Sequence, residues 1–433
     1  MSSSPQAPDA VAPTTESIAT TGLVSGGPCR FCGADLTRMV TDLGMHPPCQ
    51  AFVAVEDLNN MEPFYPLVTW VCDECWLVQV GEYVTPEEIF GEYGYFSSFS
   101  DAWLEHCRDD ARNQTARWGL GPTSLVVEVA SNDGYFLRWF AEDGIPVLGI
   151  EPARNVAAVA EERGIPTVAE FFGVELAERL VAEGKQADFL AGKNVLAQVP
   201  DLNDFVGGLK ILLAPGGVIT IEFPHLQRLI EGNQFDTIYH EHFSYFSLHT
   251  TEKIFEAHGL VLFDVDELWT HGGSIRVYGR HAGDEAKQVT ERVLGLRARE
   301  YELGYADPSA YEAFDTQVKA TKRRLLETLI RLRDEGATIA AYGAAGKGMT
   351  MLNYCGIRGD LIDFVADRNT YKWGRYCPGV HVPVLPPEAI DERRPDYVLI
   401  LPWNLRDEIS AQLAHIRDWG GKFIVPIPTA DIF

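Results

Sequence analysis

Short buried runs alternate with longer amphipathic ones in two stretches of the chain. From residue 124, SLVVEVASNDGYFLRWF reads as a buried strand, a tight turn over Ala130 to Gly134, and an apolar helix. VLGIEPARNVAAVAEERG repeats that plan, with Glu151 where the second strand ends. A short strand into AEFFG, a strand ending in NVLAQVPDL, and GVITIEFPHL after the turn Pro215-Gly216-Gly217 extend it. A second unit begins near 320 with the amphipathic helix KRRLLETLIRLRDEG, the strand ATIAAYG and the turn GAAGKGMTMLNYCG. LIDFVADRN and YVLILPWN then predict two more buried strands. Strands alternating with helices predict α/β architecture with parallel, doubly wound sheets and ligands at the strand C-termini. Between the units, THGGSIRVYG predicts a glycine-rich strand at the side of a cleft.

Ahead of the first unit, Thr85-Pro86-Glu87-Glu88 is a helix start: a hydroxyl cap, Pro in the first turn, then acids at the positive helix end. The cluster Tyr93, Tyr95, Phe96, Ser97, Ser98 follows. Packing accounts for its rings but not for so many hydroxyls, which suit a polar ligand such as a sugar.

Bulk composition narrows the class. The chain has 433 residues, 46% of them hydrophobic, enough for two or three domains with their own cores. Its formal charge is 36 − 62 = −26, without a basic block, which argues against nucleic acid as a partner. A small anionic ligand is compatible, since a few cations and backbone amides hold a diphosphate. No apolar run reaches the roughly 18 to 20 residues that span a bilayer. The start, MSSSPQAPDAVAPTTESIATTG, lacks the basic and apolar parts of a signal peptide and predicts a disordered tail. The expectation is a soluble, cytoplasmic protein.

Eight cysteines are too few for a disulfide scaffold. Four pair off as CRFC (Cys29, Cys32) and CDEC (Cys72, Cys75), the two knuckles of a tetrahedral zinc–thiolate site. Four thiolates leave no coordination position for substrate, so this metal holds the fold. Cys49, in MHPPCQ, is read as a buried extra thiol.

The first unit's turn, E-V-A-S-N-D-G, lacks the G-x-G-x-x-G that brings backbone against a pyrophosphate. Asn132 and Asp133 suit the amino-acid end of S-adenosylmethionine (SAM), and Glu151 can bind ribose hydroxyls. The residues favour SAM over a dinucleotide. In the second unit, Gly343-Ala-Ala-Gly346-Lys347-Gly348 has the glycines and cation of a phosphate cradle, although packing alone also explains such turns.

The stretch FDTIYHEHFSYFS sets Tyr239, His240, Glu241 and His242 side by side. An H-x-H pair can chelate a metal, but no third ligand stands nearby. Acid/base chemistry and a plain structural turn are the other readings, with acid/base chemistry favoured.

In order, CRFC, LGMHPPCQAF, YPLVTWVCDECWLVQV, YGYFSS, EVASNDGYFL, GIEPARNVA, NVLAQVPDL, YHEHFSYFS, GGSIRVY and GAAGKGMTMLN span nearly everything after the tail. That set resembles the SAM-dependent sugar C-methyltransferases that act on nucleotide-linked 4-keto deoxysugars, the C-3 enzymes of antibiotic sugar pathways. The resemblance implies a tail over 1–26 and a zinc-binding domain over 27–82. It further implies a SAM-binding domain over 83–265 and a Rossmann-like substrate-binding domain over 266–433, with substrate where the three meet. By the same resemblance His242 is the base, with Tyr239, Glu241 and Tyr93 around the sugar. Glu128, Ser131, Asn132, Asp133, Gly134, Glu151, Asn155 and Asn194 are then the expected cofactor contacts. Tyr95, Ser97, Ser98, Lys347 and Trp403 are the expected substrate contacts. Gln198 stands where the family pattern carries His. A ketone at C-4 acidifies the neighbouring C–H, so a base near pKa of about 6 to 7 can help remove its proton. The implied partner is a thymidine diphosphate sugar, for a monomer or homodimer. A nucleotide-sugar oxidoreductase or epimerase using GAAGKG as a cofactor loop is the alternative.

Overall fold

The computed structural model describes residues 25–91, 94, 96–99 and 101–433. The expected tail and two expected site residues, Tyr93 and Tyr95, lie outside them.

Three sheets carry the described chain. The first is built from β1 (Arg38–His46), β2 (Tyr65–Val71) and β3 (Val78–Val80), all antiparallel. Its fourth strand comes from far along the chain: β9 (Ser244–Tyr245) pairs antiparallel with β3, Val78 opposite Tyr245 and Gln79 opposite Ser244. All three residues of β3 are buried, so the strand needs a neighbour on each side. The Y-H-E-H stretch therefore runs directly into the zinc-side sheet.

The second sheet contains β4 (Val126–Val129), β5 (Val147–Ile150), β6 (Thr167–Val168), β7 (Ala187–Lys193), β8 (Leu213–Pro224), β10 (Leu260–Leu268) and β11 (Ser274–His281). Its order is β10-β11-β8-β7-β4-β5-β6, parallel from β8 to β6. All four residues of β4 are buried, as its unbroken apolar run predicts for a strand covered on both faces. The chain winds outward from β4 in both directions, which opens a crevice at the carboxyl ends of β4, β5 and β7. The hairpin β10–β11 sits wholly in this sheet, with β11 between β10 and β8. A border at 265/266 would cut that hairpin. The hairpin and the following helix Glu291–Glu302, whose Val293 and Leu296 join this sheet's core, belong with the middle sheet, because a strand's hydrogen bonds and a helix's packing decide where each belongs.

The third sheet has β12 (Ile339–Tyr342), β13 (Val365–Ala366), β14 (Val384–Leu385), β15 (Tyr397–Ile400), β16 (Lys422–Val425) and β17 (Asp431–Ile432). Five strands are parallel in the order β14-β13-β12-β15-β16, with β17 antiparallel at the edge. One apolar core joins it to the first sheet, running from Val40, Leu67 and Val78 through Phe235 and Ile238 to Leu325, Ile339 and Met349. The predicted start of the helix Pro86–Phe90 is present, with Thr85 and Glu88 forming a reciprocal capping box. Among the described residues, no helix is long and apolar enough to cross a membrane.

Candidate active site

A cavity of about 810 Å³ opens where the three sheets meet. On one wall stand Ala130, Asn132, Glu151 and Asn194, from the carboxyl ends of β4, β5 and β7. On another stand Tyr239, Glu241 and His242, and the helix start Gly346–Lys347 faces them.

His242 is 8% exposed and held from both sides. Its Nδ1 lies 3.2 Å from the Thr237 carbonyl, and a carbonyl can only accept, so Nδ1 carries the proton. Nε2 is then a lone pair, and the Tyr239 hydroxyl donates to it over 2.9 Å. Burial, with His271 and Lys347 adding to it, holds this imidazole down at about 3, below the range expected of a free base. The ring is accordingly neutral, and in the substrate-free site its Nε2 is a weaker base than the expected pKa of about 6 to 7 would make it. Glu241 does not hold the ring, since both nitrogens are bonded to Thr237 and Tyr239. Its carboxylate accepts from the Cys49 thiol over 3.2 Å. Burial and that carboxylate push the thiol well up, so Cys49 stays a proton donor. His240 turns the other way, toward the Pro66 carbonyl at 3.2 Å and the rings of Tyr65 and Tyr83. His240 and His242 thus do not converge on a common ion.

On the other wall Glu151 stitches two loops: Oε2 accepts from the Asn132 amide (3.0 Å) and Oε1 from the Ala153 amide (2.9 Å). Burial pushes its carboxyl up to about 7. The Asn132 side chain accepts from the Ser97 amide over 2.9 Å, so the lead-in segment is tied to the first turn. Ala130, Asn132 and Asn194 hold left-handed backbones (φ 57°, 48° and 57°), a strain that collects at binding sites. Asn194 Oδ1 is buried without a hydrogen-bond partner. An open crevice with a buried acceptor and an acid at the second strand end fits the polar groups of SAM.

Several expected contacts sit elsewhere. Asp133 is buried beneath the turn, paired to Arg163 (2.9 Å) and to the Ser98 hydroxyl, so neither Asp133 nor Ser98 faces the cavity. Ser131 packs under Gly149, whose missing Cβ would lie 2.5 Å from its hydroxyl. Gly134, at φ 75°, packs against Ile165 and supplies the turn's geometry. Glu128 is fully buried in β4, where burial pushes its carboxyl well up, and it does not line the cavity. Asn155 lies on the exposed side of the next helix. Trp403 stands behind Lys347, whose ammonium is 5.1 Å from the ring centre, and its indole donates to Asp236 over 2.8 Å. Ser97, Lys347 and Gln198 do line the cavity. His271 lines it too, as does Asp367 at the end of β13, and sequence reasoning assigned neither. Their signals were a His before two glycines, and an acid in the position of Glu151.

The four thiols of Cys29, Cys32, Cys72 and Cys75 offer sulfurs within 4.8 Å of one another. The pairs Cys29–Cys75 and Cys32–Cys72 are 3.5 Å apart. That is too long for a disulfide at about 2.05 Å and close to the ~3.8 Å edge of a zinc–thiolate tetrahedron. Gln79 donates its amide to Cys29 (3.2 Å), the kind of outer contact that steadies a metal-bound thiolate.

Three family models together cover most of the chain: a zinc binding domain over 29–90, a methyltransferase domain over 103–265, and a C-methyltransferase C-terminal domain over 269–428. The C-methyltransferase NovU of Streptomyces niveus is 36% identical over 400 residues, 92% of this chain and 95% of its own. This chain belongs to the C-methyltransferase family. Among solved structures, an S-adenosylmethionine-dependent methyltransferase from Clostridium acetobutylicum covers 43% of this chain and 94% of its own, at 11% identity and a TM-score of 0.34. Magnesium protoporphyrin IX methyltransferase from Synechocystis covers 41% and 81%, at 14% identity and a TM-score of 0.32. Neither likeness adds to the family match. The C-methyltransferase uses SAM as its methyl donor and carries a four-thiolate zinc site. The oxidoreductase or epimerase alternative is not favoured.

Proposed function

We propose that this C-methyltransferase methylates C-3 of a thymidine diphosphate-linked 4-keto deoxyhexose through an enolate, toward a branched deoxysugar of a natural product. The observation that carries the reading is the tautomer of His242. Its Nδ1–H is committed to Thr237, so in this cavity-lining residue Nε2 keeps the lone pair of a base. SAM supplies an electrophilic methyl group. The sugar carbon becomes a nucleophile only when it loses a proton, and His242 Nε2 is the acceptor for it. Tyr239, which donates to that nitrogen in the substrate-free site, must release that lone pair before the proton can be taken, and its hydroxyl then turns to the oxyanion. Tyr93 and Tyr95 stand in this reading as further hydroxyl donors. Glu151, Asn132 and Asn194 hold the methyl donor. Lys347, at the start of the helix Gly346–Cys355, meets the diphosphate, where helix amides and an ammonium both favour an anion.

The test is His242→Ala. Turnover should fall on the order of 100- to 10,000-fold while SAM and thymidine diphosphate still bind by calorimetry. Near-normal turnover in that variant sinks the assignment of the base.

A further inference from the structure

The cavity holds a second imidazole, presented in the opposite sense to the first. His271 stands in a three-residue run of left-handed backbone: His271 at φ 56°, Gly272 at 92° and Gly273 at 117°. Glycine adopts that region freely, but histidine does so only when its surroundings hold it there. Those surroundings are specific. Thr270, one residue back, donates its hydroxyl to Glu222 over 3.2 Å. Glu222 is in turn fixed by Lys193 (3.0 Å) and Arg276 (2.9 Å), a buried ion cluster that also takes in Asp110. The Trp103 ring closes on His271 edge-on at 5.4 Å. Two cations, Lys193 and Arg276, and two anions, Glu222 and Asp110, thus brace the strained turn through Thr270.

Asn194, itself left-handed, places its amide nitrogen 3.3 Å from His271 Nε2. With the Asn194 amide donating, that nitrogen accepts and the proton sits on Nδ1, which has no hydrogen-bond partner among the described residues. Burial, with Lys347 adding to it, holds the ring down at about 4, so it is neutral at working pH. One cavity therefore contains two neutral histidines. His242 shows a lone pair, and His271 shows an N–H.

We propose that His271 is a second catalytic residue, whose Nδ1–H donates to the sugar's C-4 oxygen as negative charge develops there. The inference rests on the enolate reading above. In that step the C-3 proton passes to His242 Nε2. The C–H electron pair becomes the C-3–C-4 double bond, and the carbonyl π pair moves onto oxygen. A neutral imidazole is a fitting donor because it supplies a hydrogen bond without giving up its proton outright. Placing the donor on a strained backbone fixes its direction before substrate arrives, which is where such a group gains its effect.

The test uses solvent deuterium exchange at C-3 of a thymidine diphosphate-linked 4-keto-6-deoxyhexose, with no methyl donor present. Two variants keep the turn foldable, because both residues tolerate a left-handed backbone. His271→Gly removes the donor, and His271→Asn retains an N–H. Exchange should fall on the order of 100-fold in His271→Gly and by less than about 10-fold in His271→Asn, the scale of one lost oxyanion donor. SAM affinity should be unchanged in both. Exchange in the parent and in His271→Gly at the same rate overturns the role of His271 alone. Equal losses in the two variants overturn donation as the reason, and weakened SAM binding in both moves the residue to the cofactor. A parent enzyme that itself shows no exchange overturns the enolate reading, and this role with it.

Discussion

The middle sheet winds outward from β4 as β6-β5-β4-β7-β8, and the C-terminal sheet winds outward from β12 as β14-β13-β12-β15-β16. Each ends its second strand in an acid that does the same two things. Glu151 accepts from the amide of Asn132 in the first turn and of Ala153 two residues on. Asp367 accepts from the amide of Ala344 in its first turn (2.6 Å) and of Asn369 two residues on (2.7 Å). The turns themselves differ. In the middle sheet Ala130 and Asn132 take strained conformations that leave the crevice open. In the C-terminal sheet Gly343 and Gly346 line the same cavity while also admitting close neighbours: a Cβ on Gly343 would lie 2.4 Å from Pro402, one on Gly346 3.1 Å from Cys49, and one on Gly348 3.0 Å from Leu401. A strand-end acid is therefore first a stitch for the turn, and only the space above that turn decides what binds. The C-terminal glycines thus serve close packing as well as lining the cavity, with Lys347 as the cation beside them.

That contrast can be broken at four levels. The largest effect should come from Cys72→Ser with Cys75→Ser. Because the zinc-side sheet shares a core with the C-terminal unit and a strand with the Y-H-E-H stretch, zinc, folding and all activity should be lost together. Metal analysis beside circular dichroism checks this, and a metal-free protein with full activity would refute it. Next come the paired variants Glu151→Ala and Lys347→Ala. The first should weaken SAM by at least ~1.5 kcal/mol and leave thymidine diphosphate alone, and the second should do the reverse by ~1.5 to 3 kcal/mol. Calorimetry that found both ligands weakened by either change would erase the division of labour.

A smaller effect is in pH. The Glu151 carboxyl, pushed up to about 7 by burial, is largely protonated below that value and becomes a full acceptor above it. SAM should bind more tightly as pH rises from 6 to 8, by several-fold, and Glu151→Gln should flatten the slope. Smallest is Gly343→Ala against Gly134→Ala. Both break a left-handed backbone (φ 89° and 75°), worth about 1 to 2 kcal/mol in stability. The rigid Pro402 ring should make the first the worse of the two, as thermal denaturation will show.

Both doubly wound units were legible in the sequence, because their strands are short apolar runs between helices and little else packs that way. The zinc knuckles were legible from spacing alone. The Y-H-E-H stretch was visible as a cluster, but not its directions: His240 and His242 look equivalent in the sequence and face opposite ways. Asp133 looked like a ligand group because a carboxylate in a βα turn resembles one. Its use as a buried partner of Arg163 depends on a residue 30 positions away, which no local pattern reveals. Cys49 read as an extra thiol for the same reason, since Glu241 is 192 positions off. His271 escaped because its importance lies in a backbone angle, and T-H-G-G hints at irregularity without naming its purpose.

The pairing of β3 with β9 also bears on how the chain assembles. Val78 and Tyr245 are 245 − 78 = 167 residues apart, so the zinc-side sheet stays one strand short until most of the middle unit has been synthesised. Contacts of such long sequence separation form late and slowly, and an unpaired strand edge waiting for its partner is open to the wrong one. A fragment ending at residue 90, where the zinc-domain match ends, leaves Val78 and Gln79 with an empty edge. Such an edge is expected to pair with a second copy, which size-exclusion chromatography of the fragment would show as a dimer or larger. His242 is thus placed by the last step of a sheet whose first step precedes it by more than a third of the chain, and the cavity it lines is complete only when those two distant strands have met.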